Sequence, residues 1–568
     1  MYLIAVATDY DGTLAHHGNV DAPTIAALER LKASGRKLLM VTGRELSSLK
    51  YVFDRFDLFD VIVAENGSLL YFPQTQEERL VAVAPPPELI KALLARGVQP
   101  LSIGRGIVAT WEPNETTVLE SIRDLGLEWQ IIFNKGAVMV LPPGVNKSTG
   151  LSKALDVMEL SPLNVIAIGD AENDHAFLTV GGCAVAVANA LDVVKATADL
   201  VTLADHGAGV VEVIDILLAD ESALIARAAK RRKTKLGEDE TAVLWPNHGG
   251  VLIAGSSGIG KSTLVTAIIE KLAAQGFQVC ALDPEGDYDD LQDAIVLGDA
   301  RHEPVASEVL DILRKPGDTP LAVNMLGLQV QDRPGFFAGL LSQICELHRQ
   351  TARPHWLVID EAHQMLPAAS EAVDLSLPST QPAAIYVTVH PQAMRSAALV
   401  SVQTLIGAGP KAGEIVESFC QAIDAQVPAL PPPGGEDQVL FWDRASGAPP
   451  RWINVDRPKQ EHQRHARKYA EGRLGEDKSF YFRGPDGALH LRAHNLMIFL
   501  QMADGVDDAT WLHHLHRGDY AKWFREAIHD DELADEADQL QDSADPTATR
   551  EQVRQMVERR YTAPAQVL

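Results

Sequence analysis

The stretch Gly255-Ser256-Ser257-Gly258-Ile259-Gly260-Lys261-Ser262-Thr263 constrains the fold more than any other part of the 568-residue chain. The apolar run Val251-Leu252-Ile253-Ala254 leads into it and a helical pattern leaves it, so the glycines must form a turn between a buried strand and a helix. Such a turn lets backbone N–H groups surround phosphate, with Lys261 reaching the outer phosphate oxygens and the Ser262 hydroxyl facing Mg²⁺. The expected nucleotide-binding residues are therefore Gly255, Gly258, Gly260, Lys261, Ser262 and Thr263, with ATP as the ligand. About a hundred residues later, His355-Trp356-Leu357-Val358-Ile359-Asp360-Glu361-Ala362-His363 reads as an apolar strand closing on two carboxylates. Asp360 is expected to reach Mg²⁺ through water and Glu361 to polarise an attacking water, and an intact Glu361 favours hydrolysis over mere nucleotide binding.

A second chemical constellation opens the chain. Asp9-Tyr10-Asp11-Gly12-Thr13-Leu14 directly follows the first strand-like run, placing two carboxylates one residue apart at a strand's carboxyl end. That spacing suits metal-assisted phosphoryl chemistry, in which one carboxylate attacks phosphorus and the other passes a proton to and from the leaving group. Alone the pattern is as often a turn or helix cap. Three further features follow in order: Val41-Thr42-Gly43-Arg44, Lys147, and Gly169-Asp170-Ala171-Glu172-Asn173-Asp174. A hydroxyl and a lysine near phosphate, with a third carboxylate group on the metal, are what a dianionic substrate needs.

On these motifs residues 1–215 resemble the haloacid dehalogenase superfamily of phosphatases, subfamily IIB, Cof-like or phosphoglycolate phosphatase-like, whose cap is inserted between the second and third motifs. The resemblance implies Asp9 as a nucleophile forming an aspartyl-phosphate and Asp11 as general acid and base. It implies Thr42 and Lys147 on the phosphoryl oxygens, and Mg²⁺ held by Asp9, the Asp11 carbonyl and Asp170, with Asn173 and Asp174 supporting that shell. Gly43, Arg44, Asn66 and Asn173 are the expected substrate-side residues, Asn66 lying in a Glu65-Asn66-Gly67 loop similar to one in this branch. Lys153 is the alternative third-motif lysine; Asn146-Lys147-Ser148 just before a helix fits the family better. The cap of about 60 residues is short for the branch, and Arg96, Arg105 and Trp111 are pocket candidates or ordinary surface and core residues.

Leu282-Asp283-Pro284-Glu285-Gly286-Asp287-Tyr288 and Tyr386-Val387-Thr388-Val389-His390-Pro391-Gln392 each end a later strand. With the glycine-rich turn they resemble HerA/FtsK-type P-loop ATPases over about 245–455. The sensor segment departs from the family's Ala-Thr-Gln, so either Gln392 or His390 is the γ-phosphate sensor. Arg395 is a candidate trans arginine or a plain surface residue. The resemblance implies other copies of the chain as partners, and DNA pumping only by analogy.

Alternating strands and helices predict an α/β fold with four parts: a phosphatase of Rossmann-like core (1–84 and 144–220) and small α+β cap (85–143), a charged solvated linker (221–244), a P-loop α/β domain (245–457), and a helical C-terminal module with an acidic tail (470–568). The core sheet is expected to be parallel, and the last hundred residues to lack clear strands. No internal repeat is evident. Asp and Glu number 77 against 50 Lys and Arg, and the resulting charge of −27 opposes non-specific attraction to nucleic acid or anionic membrane. Four isolated cysteines, no apolar run near 18 residues and no signal-like start point to a cytoplasmic chain without a membrane segment. His513, His514 and His516, near His490 and His494, lack carboxylate or cysteine ligands at fixed spacing and read as surface and packing residues rather than a metal site.

The expected function is an Mg²⁺-dependent phosphatase of a small phosphorylated metabolite, a sugar phosphate or phosphoglycolate-like compound, fused to an ATP-hydrolysing domain. The alternatives are an ATP-driven nucleic-acid-processing assembly with an end-processing phosphatase, and an ATP-gated regulatory phosphatase.

Overall fold

The computed structural model describes residues 2–134, 136–244, 249–256, 259–289, 291, 293–368, 382–435, 438–459, 474, 478–487, 489–528 and 530–561. The apolar runs of the first domain become β1 (Ala5–Thr8), β2 (Lys37–Val41) and β3 (Val61–Ala64), followed by an unexpected pair, β4 (Leu69–Phe72) and β5 (Glu77–Leu80). The cap contributes β6 (Ser102–Ile103), β7 (Val108–Trp111), β8 (Gln130–Asn134) and β9 (Ala137–Leu141). The core resumes with β10 (Val165–Gly169), β11 (Cys183–Ala186) and β12 (Leu200–Val201). The core sheet runs β12-β11-β10-β1-β2-β3-β4-β5, parallel through β3 and antiparallel beyond it. A wholly parallel sheet was the expectation; the β3–β4 turn is only Glu65 to Ser68, too short for the crossover a parallel neighbour requires.

Registry decides where the chemistry lies. Thr8 stands opposite both Ile168 and Met40, so β10, β1 and β2 end side by side and release Asp170, Asp9 and Thr42 at one carboxyl edge. Above that edge the cap sheet, in order β6-β7-β9-β8, packs Val108, Val138 and Val140 against Leu89, Leu93, Val118 and Ile122 of helices Pro87–Ala95 and Glu115–Asp124.

Residues 221–244 are not a solvated linker. They form helix Glu221–Arg232 and a hairpin of β13 (Thr234–Lys235) and β14 (Val243–Leu244). Arg231 Nη1 donates to Thr179 O at 2.7 Å and Arg232 Nη2 to Gly181 O at 2.8 Å, so the basic run satisfies carbonyls at the end of helix His175–Val180. Leu236, Ala242 and Leu244 are buried in the second domain's core.

That domain contains β15 (Gly250–Gly255), β16 (Val279–Asp283), β17 (Ile295–Leu297), β18 (Leu321–Asn324), β19 (Trp356–Ile359), β20 (Ala383–Thr388), β21 (Val402–Ala408), β22 (Gln438–Asp443) and β23 (Arg451–Asn454). The sheet order is β17-β18-β16-β19-β20-β15-β21-β22-β23, parallel through β21, with β22 antiparallel to β21 and β23 antiparallel to β22. The strand leading to the glycine turn is central, and the Asp-Glu strand lies two places from it.

The C-terminal module does contain strands, β24 (Phe480–Phe482) and β25 (Leu491–Ala493), paired antiparallel under an aromatic core of Phe480, Phe482, Phe499, Trp511, Tyr520 and Phe524. Nor is 530–544 a trailing acidic tail. Helix Asp531–Asp538 buries Leu533, Ala534 and Ala537, and its carboxylates are taken by arginines, Glu536 by Arg559 at 2.7 Å and Asp535 by Arg525 at 2.7 Å. Among the described residues no helix is long and apolar enough to cross a membrane, and all four cysteines are buried and unpaired.

Candidate active sites

The first site is assembled from three strand ends and one helix start. Asn146 caps helix Lys147–Val157, its side chain accepting from Thr149 N at 3.0 Å while Thr149 Oγ1 accepts from Asn146 N at 3.0 Å. This box fixes Lys147 as the first helical residue. The helix start packs on the Glu65–Gly67 loop so closely that a Cβ on Gly67 would sit 2.0 Å from Asn146 O. Lys147 is 1% exposed and donates to Asp9 Oδ1 at 2.6 Å and to Asp174 Oδ1 at 2.5 Å. The other oxygen of Asp174 accepts from Asp170 N at 2.8 Å and Ala171 N at 2.9 Å, and Thr13 Oγ1 donates to Asp170 Oδ1 at 2.8 Å.

Asp9, Asp170 and Asp174, all buried, bring one carboxylate oxygen each within 4.8 Å of one another. Burial, followed by the charge of Asp174, pushes the Asp9 carboxyl well above the ordinary range despite Lys147. Lys147 stays protonated because two carboxylates outweigh its burial. Three hard oxygen donors converging beside one lysine fit a small divalent cation such as Mg²⁺.

Asp11 stands outside that cluster. Arg44 grips it with both arms, Nε to Oδ2 at 2.6 Å and Nη2 to Oδ1 at 2.7 Å. The carboxylate of Asp11 is therefore directed at Arg44. Thr42 Oγ1 accepts from Arg44 N at 3.1 Å, and Asn173 Nδ2 donates to Asn66 Oδ1 at 3.0 Å. Asp9, Asp11, Gly43 and Arg44 form the floor of a cavity of about 430 Å³ whose roof is cap residues, Trp111 and Met139 among them. Arg96 and Arg105 lie elsewhere, paired with Asp124 at 2.6 Å and Glu78 at 3.3 Å. Lys153 is exposed and pairs with Asp156 at 3.3 Å.

The second site surrounds the start of helix Lys261–Ala274. Gly260 takes φ +84°, a left-handed turn that glycine adopts without strain, and Lys261 folds back to donate to Gly255 O at 2.9 Å and Ser256 O at 2.7 Å. Burial pulls the Lys261 pKa down, against the charges of Glu361 and Asp360. Ser262 Oγ donates to Asp287 Oδ2 at 2.7 Å. Burial, reinforced by Asp287 and Asp283, raises Asp360 well above the usual carboxylate range; burial and Glu285 raise Glu361. Glu361 adopts φ +42°, a costly conformation for a non-glycine residue that is typical of functional turns. His363 Nδ1 lies 3.3 Å from Glu361 Oε2 and 3.0 Å from Thr388 Oγ1. Of the two sensor candidates, His390 rests beside His363, ring centres 6.0 Å apart, whereas Gln392 accepts from Ser418 at 2.9 Å. Gly258 lies outside the described residues. Thr263 and Gly260 line a cavity of about 530 Å³ to which Trp452 also contributes.

Residues 6–97 and 119–214 match the family model of haloacid dehalogenase-like hydrolases, and residues 248–366 match that of the helicase HerA central domain. A phosphoglycolate phosphatase of Methanothermobacter thermautotrophicus is 32% identical over 220 residues, covering 37% of this chain and 96% of that protein. The chain belongs to the haloacid dehalogenase-like hydrolases. Phosphoglycolate phosphatase 2 of Saccharolobus solfataricus is 33% identical over 224 residues, covering 38% of this hydrolase and 93% of the relative. A haloacid dehalogenase-like hydrolase from Bacteroides thetaiotaomicron covers 38% of the chain and 98% of its own at 20% identity, with a TM-score of 0.33. The hydrolase thus couples a phosphatase domain with a HerA-type ATPase domain in one chain.

Three residues of the hydrolase's sites carry roles that sequence reasoning did not assign. Glu65, buried at φ +53°, accepts from Gly106 N at 2.8 Å and Arg105 N at 3.1 Å and so ties the cap to the core. Asp287 meets Ser262. Arg333, 7% exposed at the start of helix Arg333–Thr351, donates to Gln364 at 2.5 Å and lies within the field of Glu285 and Asp283. The Glu65-Asn66-Gly67 motif was a usable signal for the first; nothing local marks Arg333.

Proposed function

We propose that the hydrolase removes phosphate from a small phosphorylated metabolite through an aspartyl-phosphate at Asp9, and that its second site binds and hydrolyses ATP. The observation that carries the first reading is the convergence of Asp9, Lys147, Asp170 and Asp174 beneath a capped cavity. Mg²⁺, held by Asp9, Asp170 and the Asp11 carbonyl with Asp174 in support, would supply charge neutralisation at the phosphoryl oxygens.

An Asp9 carboxylate oxygen forms the bond to phosphorus as the bond to the leaving oxygen breaks, and Asp11 gives that oxygen its proton. Asp11 then takes a proton from water, whose oxygen attacks phosphorus and frees Asp9 with inorganic phosphate. Lys147 and Thr42 carry the charge of the transferring oxygens. Arg44, now closed on Asp11, turns to the incoming phosphate and leaves the acid free to act. The names of the phosphoglycolate phosphatase relatives support a small acid phosphate as substrate.

For ATP, Lys261, Ser262 and Thr263 hold the phosphates, Glu361 orients water, and the nucleoside occupies the cavity against Trp452. The HerA match favours a second reading, in which ATP hydrolysis moves nucleic acid. Phosphate release from a metabolite panel, compared between wild type and Asp9→Asn with and without ATP and DNA, separates the two. Metabolite turnover lost in Asp9→Asn supports the first. No turnover, with DNA-stimulated ATP hydrolysis lost in Lys261→Ala, supports the second.

A further inference from the structure

The C-terminal module has a cavity of about 750 Å³ whose lining includes no residue assigned to either phosphate site, although Lys478 of its wall pairs with Glu285 and acts on Glu361 of the ATP site. Its wall carries four cations, Lys478, Arg483, Arg517 and Lys522, against two carboxylates, Asp519 and Glu526. A local cationic excess inside a concave surface is notable on a chain of charge −27, because it draws anions that the rest of the surface repels.

Buried groups hold this wall in shape. His514, 5% exposed, donates from Nδ1 to Asp519 Oδ2 at 2.8 Å and accepts at Nε2 from Arg483 N at 3.0 Å, the assignment that satisfies both contacts. Both ring nitrogens are thereby used, which excludes a metal on His514 and pins the turn that presents Arg483. Trp523 Nε1 donates to Lys478 O at 2.9 Å and fixes the other side.

The cations are left with donors to spare. Asp519 is taken by His514, and Arg517 lies 3.5 Å from it. Lys522 pairs with no carboxylate among the described residues. Arg483 lies over the Tyr481 ring at 5.9 Å, and Lys478 stands 3.8 Å from Glu285 of the ATPase domain, beyond hydrogen-bond distance. Tyr481 and Trp523 add aromatic surface to the same wall.

We propose that this cavity binds a phosphate-bearing small molecule of nucleotide size, its phosphates on Lys478, Arg483 and Lys522 and its apolar part on Tyr481 and Trp523. The volume is that of a small-ligand pocket, and several exposed cations on one wall suit a multiply charged group. A nucleic-acid strand fits poorly: it needs cations strung along a groove several nucleotides long, whereas these four lie on the wall of one cavity of about 750 Å³.

The test uses the full-length Asp9→Asn/Lys261→Ala protein without Mg²⁺, titrated with ADP and followed by calorimetry and hydrogen exchange. ADP should protect residues 478–487 and 513–527. Arg483→Ala/Lys522→Ala, at exposed positions where truncation spares folding, should weaken that binding about tenfold or more. Glu526→Gln, removing a competing charge, should tighten it. Absence of protection in these segments at millimolar ADP, affinity unchanged in both variants, or protection by a single-stranded oligonucleotide but not by ADP would each overturn the proposal.

Discussion

His355 Nε2 donates to Asn164 Oδ1 at 3.3 Å across the junction of the two catalytic domains. Asn164 immediately precedes β10, which is followed at once by Asp170, and His355 immediately precedes β19, which is followed at once by Asp360. The feet of the two strands that lead to the aspartates proposed to face metal are thus pinned together. Around them Arg353, fully buried, reaches Glu159 O and Arg314 O, and Tyr2 packs edge-on to His355 with ring centres 6.2 Å apart. The junction is a packed interior rather than a flexible hinge.

The junction should be acid-sensitive. His355 Nδ1 accepts from Gln278 N at 2.9 Å, so the ring is neutral, and burial together with Arg353 and His348 lowers its pKa from 6.5 to about 3. Below pH 6.5 the unfolded chain takes up a proton that the native chain refuses. Native stability is therefore complete above pH 6.5 and falls towards pH 3, by up to about 1.4 kcal/mol per pH unit from this group. Urea denaturation at several pH values should show a shallower acid loss in His355→Gln; equal slopes would refute the assignment.

Asp9→Asn should lower phosphatase turnover by about 10³-fold or more, because the attacking oxygen is lost. Asp11→Asn should lower it by about 10²- to 10⁴-fold, the usual range for a general acid. Single-turnover chemistry should show no phosphate trapped at position 9 in Asp9→Asn, but phosphate held transiently on Asp9 in Asp11→Asn with an activated leaving group.

Lys147→Met leaves Asp9 and Asp174 facing each other without their shared cation. The cost to stability should be about 3–5 kcal/mol, as when one partner of a buried pair is removed. Mg²⁺ should restore part of it. In wild type, Mg²⁺ at a hundred times its Kd should stabilise by about 2.7 kcal/mol, and Asp170→Asn should weaken that response. Calorimetric Tm with and without Mg²⁺ checks both.

Glu65→Ala should leave the core folded and loosen the cap, since two backbone N–H groups of the cap lose their carboxylate. We expect kcat/KM for the metabolite to fall by about tenfold to a hundredfold, at roughly 1.5–3 kcal/mol for hydrogen bonds to a charged group. Hydrogen exchange should rise at residues 104–107 but not in β1 or β10.

Glu361→Gln should bind ATP while losing about 10²- to 10⁴-fold in hydrolysis. Lys261→Ala should weaken nucleotide binding as well. Parallel binding and phosphate-release assays distinguish the two effects.

Much of this was legible from residue order, because the informative signals are local. A run such as Val251–Ala254 buried on both faces, a glycine turn and a helix start place Lys261 and Ser262 without knowledge of the rest of the chain. The same holds for Asp9 after β1 and for Lys147 behind its Asn146 cap. What stayed hidden depends on partners distant along the chain. The basic run near Arg231 looks solvated until the carbonyls of Thr179 and Gly181 are brought to it. The stretch Asp531–Asp538 looks like a tail until Arg525 and Arg559 neutralise it. The clasp of Arg44 on Asp11, the Glu65 tie to the cap and the His355–Asn164 contact join residues 33 to 191 positions apart. Strand, turn and cap preferences act over a few residues and determined the local elements; charge pairing and burial act through space, and only the tertiary structure decided them.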